Sequence, residues 1–133
     1  MDMISHVVAG AVVGFHYGSP IIGALVGIAP DCVLSIKRLH YPTNLYDHTH
    51  SIIPLIILGI YDYFYTTQPI VFFALLSHII LDLPTHGKIW APALFYPYSK
   101  KRYSFGDEWE WFSTSWFTGL IITTIWSFIW INL

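Results

Sequence analysis

The 133-residue chain is 55% hydrophobic and 18% aromatic, and its 11% of charged residues falls far below the roughly 25% usual in soluble domains. That balance points away from an ordinary solvated domain and reads as one membrane domain spanning residues 1–133, while a formal net charge of −2 offers no basic surface for nucleic acid. The single cysteine, Cys32, excludes an internal disulfide, and its Pro-Asp-Cys-Val-Leu setting suits a packed thiol.

In chain order, the apolar runs predict helices over Met3 to Tyr17, Pro20 to Ile36, Ser51 to Tyr65, Pro69 to Leu83 and Trp111 to Leu133. No basic stretch precedes the first run, and Asp2 is acidic, so that run is expected to stay in the mature protein. Gly18-Ser19-Pro20 and Thr66-Thr67-Gln68-Pro69 read as tight turns, each with a proline placed to open the next helix. The expected fold is therefore all-α and multi-pass: two helical hairpins followed by a C-terminal transmembrane helix. The last run carries no charge, and its length of about 35 Å would cross a bilayer core. The first four runs are short for spanning, and the competing reading is a soluble core of buried helices. Five crossings would place all six basic residues, Lys37, Arg38, Lys88, Lys100, Lys101 and Arg102, on the side of the N-terminus. That side is then cytoplasmic and the C-terminus lies outside the plasma or inner membrane.

The histidines and aspartates carry the chemical signal. On this map His6, Asp31, Asp47, His48, His50, His78, Asp82 and His86 all fall at one end of the helices. His6, Gly10, Gly14 and Gly18 recur every fourth residue, as do Gly23, Gly27 and Asp31, and small residues at that interval let helices approach closely. If the two glycine stripes face each other in an antiparallel hairpin, His6 and Asp31 meet. His78 and Asp82 lie four apart and can aim imidazole and carboxylate at one ion, or bond to each other. In Asp47-His48-Thr49-His50-Ser51 the two histidines diverge, so His50 is the better ligand, with Asp47 or His48 orienting it. His86 follows the helix-breaking Pro84 and reads as a further ligand or a surface residue. His16 and His40 have no carboxylate cluster and read as ordinary interfacial histidines. Between Gly87 and Trp111, aromatic residues alternate with Lys100, Lys101 and Arg102, either as an interfacial anchor or as a cap whose cations hold a substrate phosphate.

These blocks resemble the membrane-bound metal-dependent hydrolases, whose bacterial members include LexA-regulated inner-membrane proteins. The resemblance rests on His6 with Gly10, Gly27-Ile-Ala-Pro30-Asp31, Thr49-His50-Ser51, Ser77-His78-Ile-Ile-Leu-Asp82 and Pro84-Thr85-His86-Gly87. It implies a helical membrane protein with His6, Asp31, His50, His78 and Asp82 as metal ligands. The Pro-Asp and His-x-x-x-Asp blocks also look distantly like zinc-dependent phospholipase C, which implies phosphoester chemistry. Leu45 and Tyr46 stand where many relatives carry a His-Arg pair, so no role of that arginine carries over.

The expected function is hydrolysis of a phosphoester, phospholipids included, by metal-activated water at the cytoplasmic interface. The ion expected is zinc, with manganese or magnesium as substitutes, and His48 or His86 would shuttle protons. The competing class is a non-enzymatic membrane protein with a structural metal site, or one that conducts protons or metal through its His-Asp cluster.

Overall fold

The computed structural model describes residues 3–35, 42–106 and 114–133. Six helices follow in order: α1 (Met3–His16), α2 (Pro20–Ser35), α3 (Asn44–Thr49), α4 (Ile52–Tyr65), α5 (Ile70–Thr85) and α6 (Thr114–Ile131), with no strand among the described residues. The all-α expectation stands, and α3 is an element that the apolar runs did not announce.

The turns form for local reasons. α1 ends where Gly18 takes φ +76°, a left-handed conformation that glycine adopts at little cost. The turn closes through the Ser19 amide, which donates to the Gly14 carbonyl at 2.7 Å, and Pro20 then opens α2. Thr43 and Ser51 cap α3 and α4, each accepting a backbone N–H of the first turn through its hydroxyl. α5 opens at Pro69, which offers no side-chain cap, and buried Asp62 of α4 substitutes by accepting the Phe72 amide at 2.7 Å.

α1 and α2 pack backbone against backbone. A methyl group on Gly10 would lie 2.2 Å from the Gly23 carbonyl oxygen, and one on Gly27 would lie 2.6 Å from the His6 carbonyl oxygen. The glycine stripes therefore face each other, which brings the start of α1 beside the end of α2. α5 is the central element, packed against α1, α2, α4 and α6. Its contacts build small apolar cores: Leu81 against Ala9 and Trp126, Ala74 against Val13 and Trp130, and Leu75 and Ile79 against Leu55. Such burial is worth about 25 cal/mol per Å² and favours the bundle over separated helices.

The multi-pass expectation is overturned, because no helix among the described residues is long and apolar enough to cross a membrane. The C-terminal helix was expected over Trp111 to Leu133, but the described helix begins at Thr114 and its 18 residues span about 27 Å against a hydrocarbon core of about 30 Å. Thr118, Thr123, Thr124 and Ser127 also dilute its apolar character. α1, α2, α4 and α5 have 14 to 16 residues, about 21 to 24 Å. With the crossings go the assignment to a plasma or inner membrane, the cytoplasmic N-terminus and the outside C-terminus. The composition misled because α2, α4 and α6 keep apolar outer faces, including Leu25, Ile56, Ile60, Ile121 and Phe128, all exposed. Lys37, Arg38, His40 and Trp111 lie outside the described residues.

Candidate metal centre

His6, Asp31, His50, His78 and Asp82 come from α1, α2, the end of α3 and α5, and all five are buried. Burying so many ionisable groups is costly unless they satisfy one another or an ion. Three orienting contacts fix the imidazoles. His78 Nδ1 lies 2.7 Å from the Gly27 carbonyl oxygen, and His50 Nδ1 lies 2.9 Å from the Tyr46 carbonyl oxygen. A carbonyl only accepts, so both Nδ1 atoms carry hydrogen and donate. The Tyr46 ring stacks on the His50 ring with centroids 3.8 Å apart.

Neutral His50 and His78 therefore present bare Nε2 lone pairs, and these two nitrogens lie 3.1 Å apart. Two bare acceptors at that distance repel unless a proton or a metal ion sits between them. The carboxylates complete the arrangement. His78 Nε2 is 3.2 Å from Asp82 Oδ2 and 3.9 Å from Asp31 Oδ1, while His50 Nε2 is 3.6 Å from Asp82 Oδ2 and 3.5 Å from Asp31 Oδ1. Metal–ligand bonds of 2.0–2.2 Å in a tetrahedron put ligand atoms about 3.3–3.6 Å apart. The five measured separations scatter around that edge length. The donor set thus fits a metal ion, and these buried groups could hold one.

His6 sits beside this set, with Nε2 2.9 Å from Asp82 Oδ1 and 3.7 Å from Asp31 Oδ2, and its ring stacks on His78 at 3.7 Å. Its Nδ1 is buried with no hydrogen-bond partner. His86 is half-buried, with Nδ1 3.0 Å from Asp82 Oδ1. His48 is exposed, with its ring edge-on to Tyr96, so it stands apart from the cluster. His16, at the other end of α1, contacts Tyr17 and Trp130.

The expected phosphate cations are arranged differently from one another. Lys100 and Lys101 are exposed, and Lys101 lies over the Tyr103 ring. Arg102 is committed inward: its guanidinium donates to Asp47 Oδ1 at 2.7 Å and to the Ala91 carbonyl at 2.9 Å. Arg102→Ala would strand the buried Asp47 carboxylate, and the expected result is a stability loss of about 2 kcal/mol, read by urea unfolding. Unchanged stability would show that the pair is merely incidental.

Tyr46 was not singled out from the sequence as a site residue, yet it buttresses His50 from two directions. Its ring backs the imidazole, and its hydroxyl donates to the Trp90 carbonyl at 2.5 Å, linking the loop over 87–106 to the cluster. Burial, then the charges of Asp82 and Asp31, holds its phenol well above the usual range, so it remains a donor. The available signal was spacing: Tyr46 stands four residues before His50, where a helical carbonyl can reach the histidine.

Electrostatics differ among the three imidazoles. Burial, then repulsion from His78, lowers the His6 pKa from 6.5 to about 4. Burial also lowers that of His50, against the Asp31 carboxylate, which accepts from the ring when it is protonated. For His78 burial opposes protonation, but attraction to Asp82 and Asp31 prevails and the pKa rises. Asp31 and Asp82 are likewise held below the usual range despite burial, Asp31 by His50, His78 and His6, and Asp82 by His86, His6 and His78. In metal-free protein, the unfolded chain protonates His6 near pH 6.5 whereas the folded chain resists until about 4. Stability should therefore fall as pH drops through that window, by about 3 kcal/mol for His6 with a further loss from His50. The His78 contribution is already complete below pH 6.5, so it does not offset the decline. Urea unfolding with chelator at pH 7 and pH 4.5 measures the difference, and equal stabilities would contradict a neutral, buried His6.

Comparison of the chain with family models, curated proteins and solved structures gave no match.

Proposed function

We propose that the protein is a divalent-metal-dependent hydrolase acting on phosphoesters, with zinc as the first-choice ion. The observation that carries the metal reading is the opposition of the His50 and His78 Nε2 atoms at 3.1 Å, each with its Nδ1 committed to a backbone carbonyl, next to two buried carboxylates. Mixed nitrogen and carboxylate ligation suits zinc, with manganese as a substitute. The hydrolytic reading draws on the resemblance of the Pro30-Asp31, Thr49-His50-Ser51 and His78-x-x-x-Asp82 blocks to metal-dependent hydrolases. His50, His78, Asp31 and Asp82 would hold the ion. When bound, zinc polarises a phosphoryl oxygen and brings the pKa of water towards about 7.

The chain's own groups supply the rest. His86 stands beside Asp82 with its side chain 14% exposed, so among these residues it is the one that joins the cluster to the surface. Exposed Lys100 and Lys101 would draw an anionic substrate towards this end of the bundle without contacting the reacting atoms. The near-complete enclosure of the ligands favours a second reading, an ion held only to join the four chain segments.

Two measurements test these readings together. Elemental analysis of purified protein should find zinc or manganese, and the His78→Ala, Asp82→Ala double variant should lack it. Release of phosphate or headgroup from soluble and lipid phosphoesters should stop on chelation and return with added zinc or manganese. Metal without turnover across phosphoester and amide panels would leave the joining role. Wild-type protein without affinity for any divalent ion would end both.

A further inference from the structure

Each carboxylate of the cluster divides its two oxygens between two groups of nitrogens. Asp31 Oδ1 and Asp82 Oδ2 are the atoms nearest His50 and His78, at 3.2 to 3.9 Å. Asp31 Oδ2 and Asp82 Oδ1 are the atoms nearest His6, at 3.7 and 2.9 Å. His86 Nδ1 lies 3.0 Å from that same Asp82 Oδ1, which places it on the His6 side. A carboxylate that serves one ion can leave its second oxygen to accept from an imidazole N–H, but here the second oxygens of both carboxylates converge on the one imidazole of His6. Two carboxylates that converge in this way have the arrangement of a pair of bridges.

The rings agree. His6 and His78 stack with centroids 3.7 Å apart and planes inclined by 24°. An imidazole binds a metal near its own ring plane, along the nitrogen lone pair, so two stacked rings aim at two positions separated by about the stacking distance. Paired-metal hydrolytic sites hold their ions about 3.5–4 Å apart. The geometry points to a two-ion centre: one ion on His50, His78, Asp31 Oδ1 and Asp82 Oδ2, and a second on His6, Asp31 Oδ2, Asp82 Oδ1 and His86. It rests on the metal reading above and deepens it. A pair of divalent ions exceeds the charge of the two carboxylates, so the filled centre favours an anionic ligand, as a phosphate ester is.

The test uses manganese(II) and the full-length protein. Titration, with bound metal measured after desalting, should reach two ions per chain, and the low-temperature electron paramagnetic resonance spectrum should be that of a spin-coupled pair. His6→Gln should bind one ion per chain with an uncoupled spectrum, since Gln fills much of the imidazole's volume and leaves the His50–His78 side intact. His86→Gln, whose side chain lies nearer the surface, should weaken the second ion without removing the first. If His6→Gln loses its helical circular dichroism, wild-type stoichiometry and spin coupling decide the matter. Saturation of the wild type at one ion with an uncoupled spectrum overturns the pair and leaves the single-ion reading standing. No manganese and no zinc bound overturns both.

Discussion

His78→Ala should lower metal affinity by at least about 100-fold. Groups that merely orient a ligand are worth 10 to 100-fold, and His78 is a ligand candidate itself held by a 2.7 Å hydrogen bond to the Gly27 carbonyl. Its removal also takes away the Nε2 that opposes His50, so the remaining donors can spread apart instead of converging. The readouts are zinc content after dialysis and the zinc-dependent rise in Tm, since a ion bound only by the native state stabilises it by mass action. Both should vanish. His48→Ala is the matched comparison: the residue belongs to the same sequence cluster, but its side chain is exposed against Tyr96, and zinc content should be unchanged. Full zinc retention in His78→Ala would remove the basis for the centre.

Gly23→Ala should destabilise the fold by about 3 kcal/mol or more and abolish metal binding with it. The added methyl would lie 2.1 Å from the Gly10 carbonyl oxygen and 2.7 Å from the Gly14 amide nitrogen. Both are backbone atoms of a helix, so neither can rotate away, and relief requires α1 and α2 to separate. Separation pulls His6 from Asp31 and displaces Gly27, whose carbonyl orients His78. Gly59→Ala meets only the Phe72 ring, at 3.1 Å, and should cost less than about 1 kcal/mol because a side chain can yield. Urea unfolding and zinc content check both variants, and a wild-type midpoint for Gly23→Ala would contradict the close approach of the two helices.

The parts of this architecture legible in the sequence are those that depend on local spacing. Glycines at every fourth residue in α1 and α2 announce a close backbone approach whatever medium surrounds the helices, and the four-residue step from His78 to Asp82 puts both on one stripe of α5. The surrounding medium was not legible. A leucine packed on a neighbouring helix and one facing lipid are the same letter, and it takes the described helices to show that none is long and apolar enough to cross a bilayer. α3 was missed because six residues, Asn44–Thr49, carry too little apolar periodicity to register. The inward turn of Arg102 towards Asp47 joins residues 55 apart in sequence, a pairing that charge alone does not announce.

The opposed nitrogens of His50 and His78 also make the folded chain a reservoir of acid. Without an ion between them a proton can take the place of the metal, and Asp82 and Asp31 favour it there, raising the pKa of His78 against the burial that opposes the charge. Proton and metal then contend for one seat, so every loading event near neutral pH expels hydrogen ions into the medium. The heat of zinc uptake should accordingly change with the protonation enthalpy of the buffer, and the binding constant should climb with pH until His78 is neutral before the metal arrives. Uptake of metal and release of acid are, for this pocket, one exchange.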